Sequence, residues 1–158
     1  MADKVPMTPS GQQRLREELQ HLRESEMPSV VKEIATAREH GDLSENAEYH
    51  AAKERQGMIH ARMKYIEDVL SRAEVIDPAK LSGDKVKFGA KVSLLNLDTN
   101  EECVYQIVGP EESDMDNGRI SVSSPLARGL LGHQVGDEVK IRLPAGSRSY
   151  EIQDISFG

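Results

Sequence analysis

The sequence predicts an α+β protein in two regimes. An antiparallel α-helical coiled-coil hairpin is expected over residues 1–76, a linker over 77–84, and a small antiparallel sheet with a short helix over 85–158. Three observations carry this reading. Between residues 10 and 76 glycine stands only at positions 11, 41 and 57 and proline only at 28, whereas residues 77–158 hold nine glycines and four prolines. The apolar spacing changes at the same boundary, from steps of three and four to short alternating runs. Hydrophobic residues make up 37% and aromatics 4% of the 158 residues, with no Trp. That is too little for one thick core and suits an elongated chain, yet the pattern is too regular for disorder.

In the first regime, Thr8-Pro9 pairs an N-cap with proline at the first helical position, where the missing N–H costs nothing. Leu15, Leu19 and Leu22 step by four and three, and Met27, Val30, Ile34 and Ala37 continue that seam. The step from Leu22 to Met27 is five, next to Pro28, so a kink or break is expected there. Beyond Gly41 a second seam runs Tyr49, Ala52, Gln56, Ile59, Met63, Ile66, Leu70 and Ala73, alternating three and four. A helix from about Ser44 to Arg72 would be roughly 43 Å long. Two such helices joined by a few residues run antiparallel, and one apolar stripe each suffices for a hairpin but not for a bundle. A protruding rod is expected.

Strands are predicted in the second regime at 86–88, 91–97, 103–108, 119–123, 138–143 and 150–155. Turn signals separate them at 98–100, Asn117-Gly118, Gly136-Asp137 and Ala145-Gly146, and Leu126 to Leu131 after Pro125 forms the short helix. Glu112, Asp114, Asp116 and Gly118 have the wrong offsets for a calcium loop and read as a hairpin turn. Cys103 falls in a strand and reads as a small core residue.

Charge narrows the function classes. Twenty basic against twenty-seven acidic residues give a net charge of −7 and a pI near 5.3, spread over both regimes. A self-sufficient duplex binder carries a basic excess, so nucleic acid is expected to be met mainly through another partner. A lone cysteine excludes disulfide frameworks and cysteine-built zinc sites within one chain. No apolar run approaches the roughly 18 residues of a membrane span, and the N-terminus has no apolar stretch of a signal peptide. A cytoplasmic protein without a membrane partner is expected.

The candidate chemistry lies in the hairpin turn, His40-Gly41-Asp42-Leu43-Ser44-Glu45-Asn46. Asp42 and Glu45, three apart at a helix start, have two readings. As a capping box, Asp42 accepts from first-turn amides and Glu45 reaches back. Alternatively, a hard Mg²⁺ ion takes one or two carboxylates plus waters and phosphates, so the pair could complete a metal site supplied mostly by a partner. Spacing alone leaves both open. His40 and His50, ten apart, lack zinc-ligand spacing and read as solvated. Arg38, Lys53 and Arg55 lie within a few turns and are candidates to meet an RNA phosphate, against the plainer reading of exposed helix residues. The run from Ser124 to Gly132 is apolar for a loop; part of it covers the sheet and any exposed remainder is a docking patch.

AREHGDLSENAEYHAAKE at 37–54 resembles the hairpin tip of the bacterial Gre transcript cleavage (elongation) factors. FGAKV at 88–92, YQIVG at 105–109 and ISVSSPLARGLLG at 120–132 resemble the same family's C-terminal domain. The likeness runs in order from Pro6 to Ile155, and Leu43 with AEYHAA at 47–52 favours the GreA branch. The resemblance implies a coiled-coil hairpin joined to an FK506-binding-protein-like (FKBP-like) domain. It also implies a factor, not itself an enzyme, that docks on RNA polymerase and inserts its hairpin into the secondary channel. There it stimulates the polymerase's own cleavage at the 3′ end of a backtracked transcript. Carried over by position, Asp42 and Glu45 help hold Mg²⁺ in the polymerase active centre and orient the attacking water, with no ion bound tightly by the isolated chain. The docking loop falls on Ser123, Ser124, Pro125, Leu126, Ala127, Arg128 and Gly129, with Ser123 standing where the GreB-type loop is acidic. Two other classes remain: a channel-plugging inhibitor on the same scaffold, against which the intact carboxylate pair argues, and a prolyl isomerase, for which the second domain is poor in aromatics.

Overall fold

The structure, a computed structural model, describes residues 3–41 and 46–158; Asp42 and Glu45 lie outside the described residues. The chain divides into two compact units, Gln12–Arg72 and the remainder, in which the chain up to Gly11 joins Ala73–Gly158.

The first unit is a pair of helical arms. Helix α1 (Pro9–His21) begins as its sequence predicts, the Thr8 hydroxyl accepting from Gly11 N–H at 3.2 Å. It passes through a π-helical turn, Leu22–Glu26, into α2 (Met27–Arg38). The chain does not break at Pro28: His21, Glu26 and Met27 all keep right-handed helical dihedrals, and Met27 N–H bonds the Leu22 carbonyl five residues back. This wide turn is the physical meaning of the five-residue step, since it inserts one extra residue while keeping the apolar seam on one side. Helix α3 (Ala47–Ser71) starts three residues later than its expected origin at Ser44. Val30, Ile34, Ala52 and Ile59 form the buried seam, with Leu22, Met27, Tyr49 and Met63 packed on it. Toward the end of α3 the buried stripe widens by one residue to take in Val69.

The second unit is built on strands β3 (Ala90–Asn96), β4 (Glu102–Val108), β5 (Arg119–Ser121), β6 (Glu138–Leu143) and β7 (Gly146–Phe157), in the order β5-β4-β3-β7-β6. Ahead of them, β1 (Val5–Met7) pairs in parallel with β2 (Ala73–Val75). Helix α4 (Pro125–Leu130) covers the inner face, where Val92, Leu94, Ile107, Ile120, Ala127, Leu130, Ile141 and Ile152 form the core.

Four expectations are corrected. The sheet is mixed, because β5 lies parallel to β4. Residues 109–118 are therefore a crossover carrying two 3₁₀ turns, not a hairpin turn; Gly118 has the left-handed backbone its sequence announced, at φ 71°, but it turns the chain into a parallel partner. Val86 to Phe88 is not a strand: Val86 exchanges backbone bonds with the 132–133 loop. The expected boundaries at 76 and 84 also move. Residues 3–11 and 73–76 go with the sheet unit through the β1–β2 pairing and the bond from Ile76 N–H to the Met7 carbonyl. The 77–84 segment is no free linker, since Asp77 caps a 3₁₀ turn over Pro78–Lys80 and Pro78 is buried.

Candidate functional site at the hairpin turn

Helix ends leave amides and carbonyls without intrahelical partners, so the residues that satisfy them define the local geometry of a turn. At the start of α3 that residue is Asn46. Its Oδ1 accepts from the Tyr49 N–H at 3.1 Å, and its backbone is extended, as an N-cap requires. The same side chain donates from Nδ2 to the Ala37 carbonyl in the last turn of α2 at 2.6 Å. The cap that the sequence pattern offered to Asp42 is thus made by Asn46. Sequence reasoning passed over it although the signal was present: Asn is among the best caps and stands directly before Ala47-Glu48-Tyr49.

Around this clasp the Arg38 guanidinium lies 6.0 Å from the centre of the Tyr49 ring, and the His50 ring meets Tyr49 edge-on at 5.5 Å. Lys53 is exposed, its Nζ 3.4 Å from Gln56 Oε1. Arg55 is the most engaged of the basic candidates. It spans both oxygens of Glu33 from Nη1 at 2.7 Å and reaches Glu26 Oε2 from Nη2 at 3.1 Å, joining α3 to α2 and to the π-helical turn. Its guanidinium holds the Glu26 carboxyl below the usual glutamate range, with His21 adding to the effect. Among the described residues no group of three or more His, Cys, Asp or Glu side chains could hold a metal ion. The metal-binding expectation rests wholly on Asp42 and Glu45, outside those residues.

In the second candidate region some residues cover the sheet and others face outward. Ser124 caps α4 by accepting from Ala127 N–H at 3.3 Å, and Pro125 opens the helix. Ala127 and Leu130 are fully buried, and Leu126 packs against the core. Gly129 is required by close packing, since a Cβ there would stand 2.8 Å from Ile141 Cγ1. Ser123, Pro125 and Arg128 are exposed, with the Ser123 and Ser121 hydroxyls 2.8 Å apart. The covering residues and the outward ones alternate along one short helix.

Both units match transcription elongation factors. Residues 5–75 match the family described as "Transcription elongation factor, N-terminal", and residues 81–157 match "Transcription elongation factor, GreA/GreB, C-term". Transcription elongation factor GreA of Rhizobium leguminosarum bv. viciae is 56% identical over 158 residues, 100% of both chains. That of Rhodospirillum rubrum is 54% identical over 156 residues, 99% of both chains. The crystal structure of GreA factor homolog 1 (Gfh1) of Thermus thermophilus shares 32% identity at a TM-score of 0.44, covering 96% of this chain and 98% of that one. The chain belongs to the GreA/GreB family of transcription elongation factors.

Proposed function

We propose that this elongation factor docks on RNA polymerase through the outward residues of the 123–129 segment and delivers the hairpin turn to the polymerase active centre. There Asp42 and Glu45 help hold a Mg²⁺ ion that the polymerase supplies in larger part, and the polymerase cleaves the 3′ end of its own backtracked RNA. The factor is not itself the nuclease and works in the cytoplasm. Bound there, the ion would stabilise negative charge at the reacting phosphate and lower the pKa of a bound water. This chain contributes two hard oxygen donors and, in Arg38 and Lys53, cations within reach of an RNA phosphate. Arg55 is already spent on Glu26 and Glu33.

The observation that carries the reading is the Asn46 cap. Asn46 already accepts the Tyr49 N–H in the first turn of α3, so that cap does not depend on the carboxylates at 42 and 45, for which capping was the plainer of two roles. The chemistry of the donor set fits Mg²⁺, which prefers one or two carboxylates and keeps its remaining positions for water and phosphate. The isomerase reading loses ground for a separate reason: Tyr150 is buried in the core, with Tyr105 and Phe157 packed against it.

The test is transcript cleavage by stalled polymerase with Asp42→Asn/Glu45→Gln. Melting temperature and polymerase binding should stay near wild type, while cleavage at saturating factor should fall about a hundredfold, near 3 kcal/mol of transition-state stabilisation. Pro125→Glu supplies the docking arm, because Pro125 is exposed and an acid suits the first helical turn. It should raise the factor concentration for half-maximal cleavage and leave the maximum intact. Full cleavage by the double variant would refute the metal reading.

A further inference from the structure

Gly57 stands in the middle of α3, where glycine is the least favourable residue after proline, and nothing in the hairpin asks for it. Its backbone is ordinary helix, and no atom lies within 4 Å of the place a Cβ would take. The missing side chain instead opens a hollow of about 600 Å³, lined by Met27 of α2 and by Lys53, Gln56, Gly57, His60 and Met63 of α3. Resting on the polymerase-docking reading above, we propose that this hollow is a second contact with the polymerase. It receives an apolar side chain carried on an acidic segment of that partner, and the bare position at 57 is what admits it.

Three observations choose this occupant. The hollow is apolar in its larger part, with a methionine from each helix, a flexible side chain that adapts to the shape it meets. Its ionisable side chains are Lys53 and His60, both exposed, and none of its lining residues is acidic. A cation-rimmed apolar hollow complements an apolar side chain flanked by carboxylates. The bias is one-sided: a second hollow on the same two helices, lined by Lys32, Glu33, Glu48 and Arg55 among others, shares no residue with the first and mixes both signs. There Arg55 is already paired with Glu33. A single RNA strand would also be drawn to Lys53, but such strands are held by stacking bases on aromatic rings, and no Phe, Tyr or Trp lines the hollow.

Filling the hollow separates this role from helix stability. Gly57→Ala and Gly57→Leu should both raise the melting temperature of the free protein, since each is a better helix former and has room. Binding to polymerase carrying no nucleic acid should move the other way. The half-saturating concentration should rise about twofold for Gly57→Ala and about tenfold for Gly57→Leu, because the larger side chain takes more of the occupant's space. Lys53→Glu should raise it about fivefold at low salt and progressively less as salt rises, with no RNA present to account for the change. The proposal is overturned if Gly57→Leu binds this polymerase as tightly as wild type, or if its weakening follows a loss of helix stability. It is equally overturned if the Lys53→Glu effect appears only with RNA in the complex, which would make RNA the occupant. Pro125→Glu keeps the two readings apart. If it weakens binding while Gly57→Leu does not, docking through 123–129 stands and only the hollow fails. If Gly57→Leu weakens binding while Pro125→Glu does not, the hollow stands and docking through 123–129 fails.

Discussion

Glu112 is a buried carboxylate with three donors around it. It accepts from the Thr8 N–H at 2.9 Å and from the Gly109 N–H at 3.0 Å, and the Thr8 hydroxyl donates to its other oxygen. Thr8 is thus both the helix cap that its sequence announced and the donor that ties the chain start to the crossover after β4. A Cβ on Gly11 would overlap that carboxylate. The Glu112 side chain cannot swing clear without giving up three hydrogen bonds in a buried place, each costly to leave unmade. Gly11→Ala should therefore destabilise by about 1–3 kcal/mol, although Ala is the better helix former. Gly57, inside α3, has open space where a methyl group would stand, with no atom within 4 Å, so Gly57→Ala should stabilise by about 0.5–1 kcal/mol. Denaturant unfolding of the two variants checks the opposite signs. Thr8-Pro9 was legible because its partner amide is three residues away. Glu112 was not, because its partner Thr8 is 104 residues away and its spacing with Asp114 and Asp116 pointed to a local turn.

At the scale of elements, the hairpin seam was the most legible feature, since a period of three and four residues depends on nothing distant. Even the π-helical turn was written in the five-residue step, although the neighbouring Pro28 pointed to a kink instead. The strands were partly legible. Alternation marked β3, β4, β6 and β7, but the parallel seating of β5 on β4 and the β1–β2 pair follow from contacts that no local pattern announces. Ion pairs across the helices set how the hairpin responds to acid. Hydrogen bonding to Arg62 holds Glu18, and bonding to Arg55 holds Glu26, below the ordinary value of 4.5. A carboxyl depressed in the folded state adds stability that is present above its unfolded value and is lost as pH falls through its folded one. Helical melting should be flat from neutral pH down to about 5 and then fall progressively below 4.5. Arg62→Met should shallow that acid limb by removing the Glu18 part. The half-buried, solvent-accessible position of these pairs keeps the effect modest and salt-sensitive.

For the molecule as a whole, the sequence gives up its class more readily than its chemistry. Fold and family rest on patterns spread along the chain, whereas the proposed activity rests on two carboxylates that complete their site on another protein. A Mg²⁺ ion wants six oxygens in near-octahedral array and parts with water reluctantly, so two carboxylates three residues apart in the sequence offer too few ligands to hold it alone. The free factor should accordingly show no saturable Mg²⁺ binding in the low-millimolar range by calorimetry and should cleave no RNA without polymerase. Within the complex the consequence reverses. On the proposed reading, two added anionic ligands in a water-poor channel would raise the ion's affinity, because attraction between fixed charges strengthens as the local dielectric falls. Titrating Mg²⁺ into stalled complexes should therefore give a half-maximal concentration for cleavage about tenfold or more lower with the factor than without it. Asp42→Asn/Glu45→Gln should return the midpoint to the factor-free value while still competing with wild-type factor for the polymerase. If the wild-type factor raised maximal cleavage at an unchanged Mg²⁺ midpoint, the carboxylates would be acting on the water or the RNA, and metal holding would have to be abandoned.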